Sequence, residues 1–396
     1  PRLHLILLTN ITAAAIATAM SSAPPVFVAV VGVGGVGKAF LAQWEPLRHT
    51  LTKQAPAVDL RLLAARRSSH QVISHDYSGL NASDVLSQMN EANNTPTQLM
   101  DFLVQAPGPV VLVDNTSDLD WARSYPDILS RGVSIVTPNK KAFSDTDDLW
   151  RRIFAAARNG PSGPSTGGYI FHEATVGAGL PVLSTLRDLL DTGDRVTRIE
   201  GVFSGTMSFL FNSFQPLSAD AEAMPFSAAV ARARDLGYTE PDPRDDLNGL
   251  DVARKLTILA RLAGVSVDGP TAFPVESLVP SALSSCPDAS TFLTRLPDHD
   301  AEMDRRRAAA TAKGAVVRFV GSIDVASRAL RVGLDELAPA HPIAGLQGTD
   351  NLIAFHTERY GARPLVVQGA GAGAAVTAMG VAADMIRVVR LLQRSS

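Results

Sequence analysis

Apolar positions along the chain fall into short dense runs, and the runs set the elements. Val26 to Val31 is an unbroken apolar run rich in valine, the pattern of a strand buried on both faces. Asp59–Ala65 (D-L-R-L-L-A-A), Pro109–Asp114 (P-V-V-L-V-D) and Ser134–Thr137 repeat it. Lys38 to about Trp44 reads as a helix, and Asn81–Thr97 is polar enough for surface helix and loop. Strands alternating with helices predict a parallel sheet with helices on its faces. The second half is patterned differently. Ile199–Phe203 is a strand, Gly314–Val325 and Arg328–Leu334 alternate imperfectly like antiparallel strands, and Asn351–Thr357 and Pro364–Gln368 complete that set. Pro270–Ala309 reads as helices and linkers. The expected class is α/β, with an α+β domain built on a mixed sheet following the first.

The first strand runs into G-V-G-G-V-G, which puts Gly32, Gly34, Gly35, Val36 and Gly37 in a tight turn ahead of a helix. Glycines there serve the turn, the close approach of the backbone to a pyrophosphate, and helix–strand contact. The phosphates would sit on the helix N-terminus, where free N–H groups and the dipole favour anions. With a strand before and a helix after, the motif predicts a Rossmann-type dinucleotide site. An NAD-preferring site would carry an acid at the end of the second strand. Arg66-Arg67-Ser68-Ser69 stands there instead. Two guanidiniums and two hydroxyls suit a 2′-phosphate, so the cofactor reads as NADP, with NAD as an alternative; two arginines in a solvated loop are the competing reading. Asn115-Thr116-Ser117 and Pro138-Asn139-Lys140-Lys141 follow the next two strands. Ligands bind outside the carboxyl ends of such strands, which makes Lys140 a site candidate. Gly369, Gly371 and Gly373 precede an alanine-rich helix to about Leu392. They serve either close packing on a sheet or a second glycine turn at a helix N-terminus.

The densest chemistry lies between Tyr238 and Lys255 (Y-T-E-P-D-P-R-D-D-L-N-G-L-D-V-A-R-K). Pro241 and Pro243 make its start extended and turn-prone. Asp245 or Asp246 is then expected to cap a helix that runs to Gly264. Asp251 and Lys255, four apart, share a face of that helix, and the apolar residues beyond them predict burial. The plain alternative is a surface ion pair of roughly 0.3–0.5 kcal/mol. Against it stands the gathering of Glu240, Asp242, Asp245, Asp246 and Asp251 on a proline-shaped segment, which reads as an acidic pocket for an amine or a metal, with a lysine in it.

Composition narrows the field. The 396 residues have room for two or three domains, and 46% hydrophobic with 19% charged residues is ordinary for a globular enzyme. A net charge of -3 without basic runs argues against nucleic acid as partner. No apolar run reaches membrane-spanning length. The single cysteine, Cys286, favours a reducing, cytoplasmic compartment. Residues 1–19, with one arginine and no acid, read either as a leader or as an extension ahead of a start at Met20, the second being favoured.

Taken in order, G-x-G-x-x-G, N-T-S, T-P-N-K-K-A, H-E-A-T-V-G-A-G-L-P, G-x-x-S-G-T, the stretch G-Y-T-E-P-D-P-R-D-D-L-N-G-L-D-V-A-R-K and G-A-G-A-G resemble homoserine dehydrogenase, in its short monofunctional fungal form. The resemblance runs from about Val26 to the C-terminus. It implies NAD(P)-linked interconversion of L-homoserine and L-aspartate 4-semialdehyde, on the route to threonine, isoleucine and methionine. It also implies a cofactor domain over 20–172 completed by 369–396, a catalytic and dimerisation domain over 173–368, and a homodimer. By motif match Glu240, Asp246 and Asp251 would hold the substrate, Lys255 would donate the proton, and Lys140 would reach into the site. Thr116, Gly237 and Gly373 would touch the cofactor. Glu173, Val176, Ala178 and Leu180 would bind a monovalent cation, sodium, largely by backbone carbonyls.

The residue chemistry agrees, since an acidic pocket suits an α-ammonium and a desolvated lysine can deliver a proton to an aldehyde oxygen. Two rivals compete. An acyl-forming semialdehyde dehydrogenase needs a cysteine nucleophile, and Cys286 lies in a Ser/Pro/Asp loop without a histidine. A non-catalytic NADP sensor would have no need of Asp251 and Lys255.

Overall fold

The structure is a computed structural model that describes residues 25–54, 57–91, 95–218 and 221–394. Its first sheet is built from β1 (Pro25–Val31), β2 (Asp59–Arg66), β3 (His70–Ile73), β4 (Asn90–Glu91), β5 (Val110–Asp114), β6 (Ser134–Val136) and β7 (Ile170–Phe171). The spatial order is β4-β3-β2-β1-β5-β6-β7. β1 pairs in parallel with both β2 and β5, so the strand order reverses beside it and opens a crevice at its carboxyl end. The valine-rich runs are buried as their pattern requires: every residue of β5 and all but the first of β1 are inside. The antiparallel strands β3 and β4 were not visible in the pattern. Arg66-Arg67-Ser68-Ser69 is the reversal that lays β3 against β2, closed by the Arg67 N–H donating to the His70 carbonyl at 2.7 Å, and β4 then pairs with β3.

The second sheet contains β8 (Val196–Val202), β9 (Val316–Asp324), β10 (Ala329–Leu337), β11 (Asp350–Thr357) and β12 (Leu365–Ala370), in the order β10-β9-β8-β11-β12. Its named strands all pair antiparallel, and the parallel component is confined to an isolated bridge between Val275 and Val332. One apolar core joins the two sheets, from Ala29 and Leu112 under the first to Phe203, Phe319 and Ile353 under the second. A second core lies between the first sheet and the last helix, Ala374–Arg394, which buries Met385, Val388 and Val389. That helix also packs on Gly35–Ala42, so the two glycine turns stand side by side.

One local expectation fails. Neither Asp245 nor Asp246 caps a continuous helix. A short helix, Arg244–Leu247, is followed by Gly249 in the left-handed region (φ 74°) and a fresh helix, Leu250–Leu262. Gly249 makes the break, and a Cβ there would also lie 3.1 Å from the Val275 side chain. The reading of residues 1–19 and of Met20 lies outside the described residues. Among the described residues no helix is long and apolar enough to cross a membrane.

Candidate active site

The helix Leu250–Leu262 carries Asp251 on its first turn and Lys255 one turn on, and their side chains meet with Nζ 2.6 Å from Oδ2. A third partner arrives from the other sheet. Lys140, in the loop after β6, places its Nζ 3.1 Å from Asp251 Oδ1. One carboxylate is thus clasped by two ammonium groups from the two halves of the chain. Lys255 also donates to the Phe203 carbonyl at 2.7 Å, and its side chain is almost wholly enclosed. Burial lowers its pKa, Lys140 pushes the same way, and Asp251 opposes them. Burial disfavours the charge on Asp251, but the two lysines outweigh it and hold its carboxyl well below the usual range.

Asp246 does different work from the capping expected of it. Its carboxylate accepts from the Glu240 N–H at 2.8 Å and from the Thr206 hydroxyl at 2.9 Å. The Tyr238 carbonyl lies 2.6 Å from the same hydroxyl, whose single hydrogen is shared between the two acceptors. The proline-shaped segment is therefore tied to the Ser204-Gly205-Thr206 corner, with Glu240 exposed at its rim. Burial raises the pKa of Asp246, and Glu240 and Asp251 add to the effect. Thr206 was missed as a site residue; its signal was the strand–Ser-Gly-Thr–helix corner, where Ser204 caps Gly205–Phe214 by accepting from the Met207 N–H.

The cofactor crevice lies at the carboxyl ends of β1, β2 and β5. A cavity of about 620 Å³ is lined by Gly32, Arg66, Arg67, Ser68, Thr116 and Ser117, among others. Nothing would obstruct a Cβ at Gly34, whereas one at Gly37 would fall 2.4 Å from the Gly32 carbonyl oxygen. Open space on one side and close packing on the other are what a glycine turn over a pyrophosphate requires. Gly35 and Val36 open the helix, beside Ala374. The Asn115 amide is buried with no partner for either atom, at the turn itself. The two arginines differ: Arg66 is nearly buried and donates to Gln71 at 2.9 Å, while Arg67 is exposed. Gly237, just past the helix Phe226–Asp235, and Gly373, just before the last helix, both hold positive φ.

A buried network missed by the motif reading braces these tips. Asp114, at the end of β5, accepts from the Thr116 N–H at 2.8 Å, the Tyr125 hydroxyl and the Asn139 amide at 3.4 Å. Burial raises the pKa of Asp114; burial, then the charge of Asp114, push Tyr125 well up. Asn139 continues the brace, donating to the Asp118 carbonyl at 2.8 Å and accepting from the Lys141 N–H at 3.1 Å.

The turn from Glu173 to Pro181 joins the two sheets. The Glu173 carboxylate accepts from the N–H groups of Leu183 (2.7 Å) and Ser184 (2.9 Å), at the start of the helix Val182–Asp191. Gly177 and Ala178 follow each other with positive φ, 79° and 54°. A left-handed alanine is strained by roughly 1–2 kcal/mol. Among the described residues no group of three or more His, Cys, Asp or Glu side chains could hold a metal ion.

A glycine turn at the switch point of a mostly parallel sheet, with a lysine–aspartate–lysine cluster whose Lys140 follows a strand of that sheet, is the equipment of a nicotinamide-nucleotide-dependent oxidoreductase. The family models for the NAD-binding domain of homoserine dehydrogenase and for homoserine dehydrogenase match residues 32–162 and 181–386. The chain is 52% identical to the homoserine dehydrogenase of Paracoccidioides brasiliensis, over 94% of this chain and all of that one. It is 46% identical to that of Saccharomyces cerevisiae, over 92% and 98%. A crystal structure of a Candida auris protein described as of unknown function superposes with a TM-score of 0.84 at 42% identity, covering 92% of this chain and 98% of that one. The chain belongs to the homoserine dehydrogenase family. It interconverts L-homoserine and L-aspartate 4-semialdehyde with a nicotinamide dinucleotide, in the biosynthesis of threonine, methionine and isoleucine.

Proposed function

We propose that Lys255 exchanges the proton with the substrate oxygen, and that Asp251 and Lys140 set its charge and aim. The observation that carries this reading is the single carboxylate of Asp251 held between Lys140 and Lys255 where the two sheets meet. Two of the three ammonium hydrogens of Lys255 are taken by Asp251 and the Phe203 carbonyl, leaving one for a ligand. The bound nicotinamide supplies the hydride to, or takes it from, the carbon bearing that oxygen. In reduction Lys255 gives its proton to the aldehyde oxygen, and in oxidation the neutral amine takes the hydroxyl proton. Lowering the pKa makes the ammonium a better donor and its neutral form easier to reach. Glu240, Asp246 and Asp251 supply negative charge for the substrate's ammonium.

The glycine turn over 32–37, Asn115, Thr116, Ser117, Lys140, Gly237 and Gly373 would hold the cofactor. The 2′-phosphate of NADP would meet Arg67 at the exposed end of β2, with Arg66 behind it. A monovalent cation such as sodium would be held by backbone carbonyls of Glu173, Val176, Ala178 and Leu180. The strained turn supports that site, because strain persists where the surroundings over-determine it. So does the commitment of the Glu173 side chain to a helix terminus, since hard cations take oxygen ligands; the Glu173 and Leu180 carbonyls accept the Val176 and Val182 N–H groups and would offer their second lone pairs. A homodimer through the second sheet fits its edge strand β12, where Val366 is exposed, and the single cysteine fits the cytoplasm.

The deciding experiment follows homoserine-dependent reduction of NADP by the purified chain, with Lys255→Met beside it. Full activity in the folded variant would sink the assignment. Sodium-free buffer and sedimentation test the cation and the dimer: unchanged activity and a monomer would remove them.

A further inference from the structure

Lys140 lies in the loop after β6 and Asp251 on a helix of the other half of the chain, and both side chains are partly open to solvent. An ion pair of that exposure contributes little to holding two backbones together. The register between them needs another source, and the helix Leu250–Leu262 supplies it near its far end. Arg261 is buried, its side chain 1% exposed. Its guanidinium donates to the Phe143 carbonyl at 2.8 Å and the Asp145 carbonyl at 2.7 Å. Nε and Nη2 also donate to the Val267 carbonyl, at 3.1 and 3.0 Å, just beyond its own helix. The carboxylate of Asp147 stands 4.0 Å away, so backbone carbonyls are its hydrogen-bond partners. Trp150 covers one face, its ring centre 5.8 Å from the guanidinium carbon.

The position of those carbonyls gives the arrangement its meaning. Phe143 lies in the short helix Lys141–Ser144, and Asp145 is the residue that ends it. Lys140 is the residue at its other end. A cation at the carbonyl end of a helix is favourably placed, and this one comes from the helix that bears Asp251 and Lys255. The Lys140 loop is therefore pinned twice: upstream by Asn139 within the first sheet's own network, downstream by Arg261 from the other half of the chain. A planar guanidinium, with donors spread over three nitrogens in a fixed fork, serves three carbonyls on two segments at once, which a single ammonium nitrogen cannot reproduce in the same geometry.

We propose that Arg261 is a positioning residue that holds Lys140 in register with Asp251 and Lys255. The inference rests on the reading of Lys140 as part of the active site. It acts at a distance from the reaction, through backbone carbonyls, and touches no reacting atom.

A double-mutant cycle tests it, with kcat and KM measured for wild type, Lys140→Met, Arg261→Gln, Arg261→Lys and Lys140→Met/Arg261→Gln, and melting curves for each. Arg261→Gln is expected to lower kcat about 10-fold or more, toward the loss in Lys140→Met, with the KM for NADP changed by less than about 3-fold. Arg261→Lys should fall between Arg261→Gln and wild type. The double variant should lie within about 3-fold of the worse single, because two residues acting through one contact do not add. Multiplying losses, or wild-type kcat in folded Arg261→Gln, would overturn the inference and leave the active-site reading standing. Wild-type kcat in Lys140→Met would remove that reading instead, and the inference with it. If Arg261→Gln does not fold, Arg261→Lys carries the same cycle. Failure of both to fold would assign the guanidinium to the fold alone and overturn the proposal.

Discussion

Replacing Lys255 by methionine separates chemistry from architecture, because the structure predicts a large effect on one and a moderate effect on the other. Methionine keeps most of the side-chain length in an enclosed position and removes the ammonium. Asp251 is not left as an unpaired charge, since Lys140 remains 3.1 Å from its other oxygen. The Phe203 carbonyl does lose its donor. An unsatisfied buried acceptor costs about 1–3 kcal/mol, so the variant should fold with a lowered melting temperature. Turnover should suffer more. General acid–base catalysis contributes on the order of 10²–10⁴-fold, or about 2.7–5.4 kcal/mol of barrier. The proton is exchanged in the transition state, so kcat should fall by that factor while the KM for homoserine moves little. Initial rates in both directions, with melting curves, give all the quantities needed. Near-normal kcat in a folded Lys255→Met would refute the reasoning. A loss seen only in KM would place Lys255 with Asp251 in binding and leave the proton donor elsewhere.

Changing Arg66 and Arg67 together to alanine should raise the KM for NADP about ten- to a hundredfold, since a charge-assisted phosphate contact is worth roughly 1.5–3 kcal/mol, and leave NAD nearly unaffected; equal weakening of both would mean that the arginines only shape the turn. Most of the selectivity should follow Arg67, because Arg66 is nearly buried and already bonded to Gln71. Gly37→Ala should abolish cofactor binding or folding, as its Cβ would sit 2.4 Å from a backbone oxygen; a variant with wild-type affinity would show that the turn can give way. Acid stability should depend on Glu200: burial disfavours its charge, but His341, His356 and Arg198 outweigh it and lower its pKa to about 2. A pKa depressed in the folded state contributes stability above the unfolded value near 4.5 that is lost as pH falls toward 2. Melting temperatures across that window should fall less steeply for Glu200→Gln than for wild type, and identical slopes would exclude the cluster as the cause.

What could be read in advance was whatever lies close together in sequence. β1 and the glycine turn after it form a contiguous word, and so do β5 with Asn115 and β6 with Lys140. Asp251 and Lys255 are one helical turn apart, and 3.6-residue periodicity alone puts them side by side. The break at Gly249 was hidden because glycine in a helical pattern also reads as a tolerated interior residue, and neither its positive φ nor the nearness of Val275 has a signal in the sequence. β3 and β4 were hidden for another reason. β3 (H-Q-V-I) and the edge strand β4 (N-E) are too short to carry a periodic signal, and the reversal at Arg67 that lays β3 against β2 is a backbone turn.

The parts of the site that could not be read are those assembled by one side chain meeting a distant backbone. Lys255 finds the Phe203 carbonyl 52 residues away, and Arg261 finds the Phe143 carbonyl at a separation of 118. A carbonyl carries no residue identity, so no motif can announce it as a partner; the same holds for the turn from Glu173 to Leu180. The arginine's own type was the only clue. A guanidinium within an otherwise apolar run, L-T-I-L-A-R-L-A, must be desolvated, and a desolvated charge persists only where enough acceptors converge on it. That argument calls for several carbonyls or carboxylates from outside the helix before any coordinates are known. The fold answers it with carbonyls from Val267 and from the segment that follows Lys140, and on the proposed role of Arg261 this lets two lysines from different halves of the chain face one aspartate.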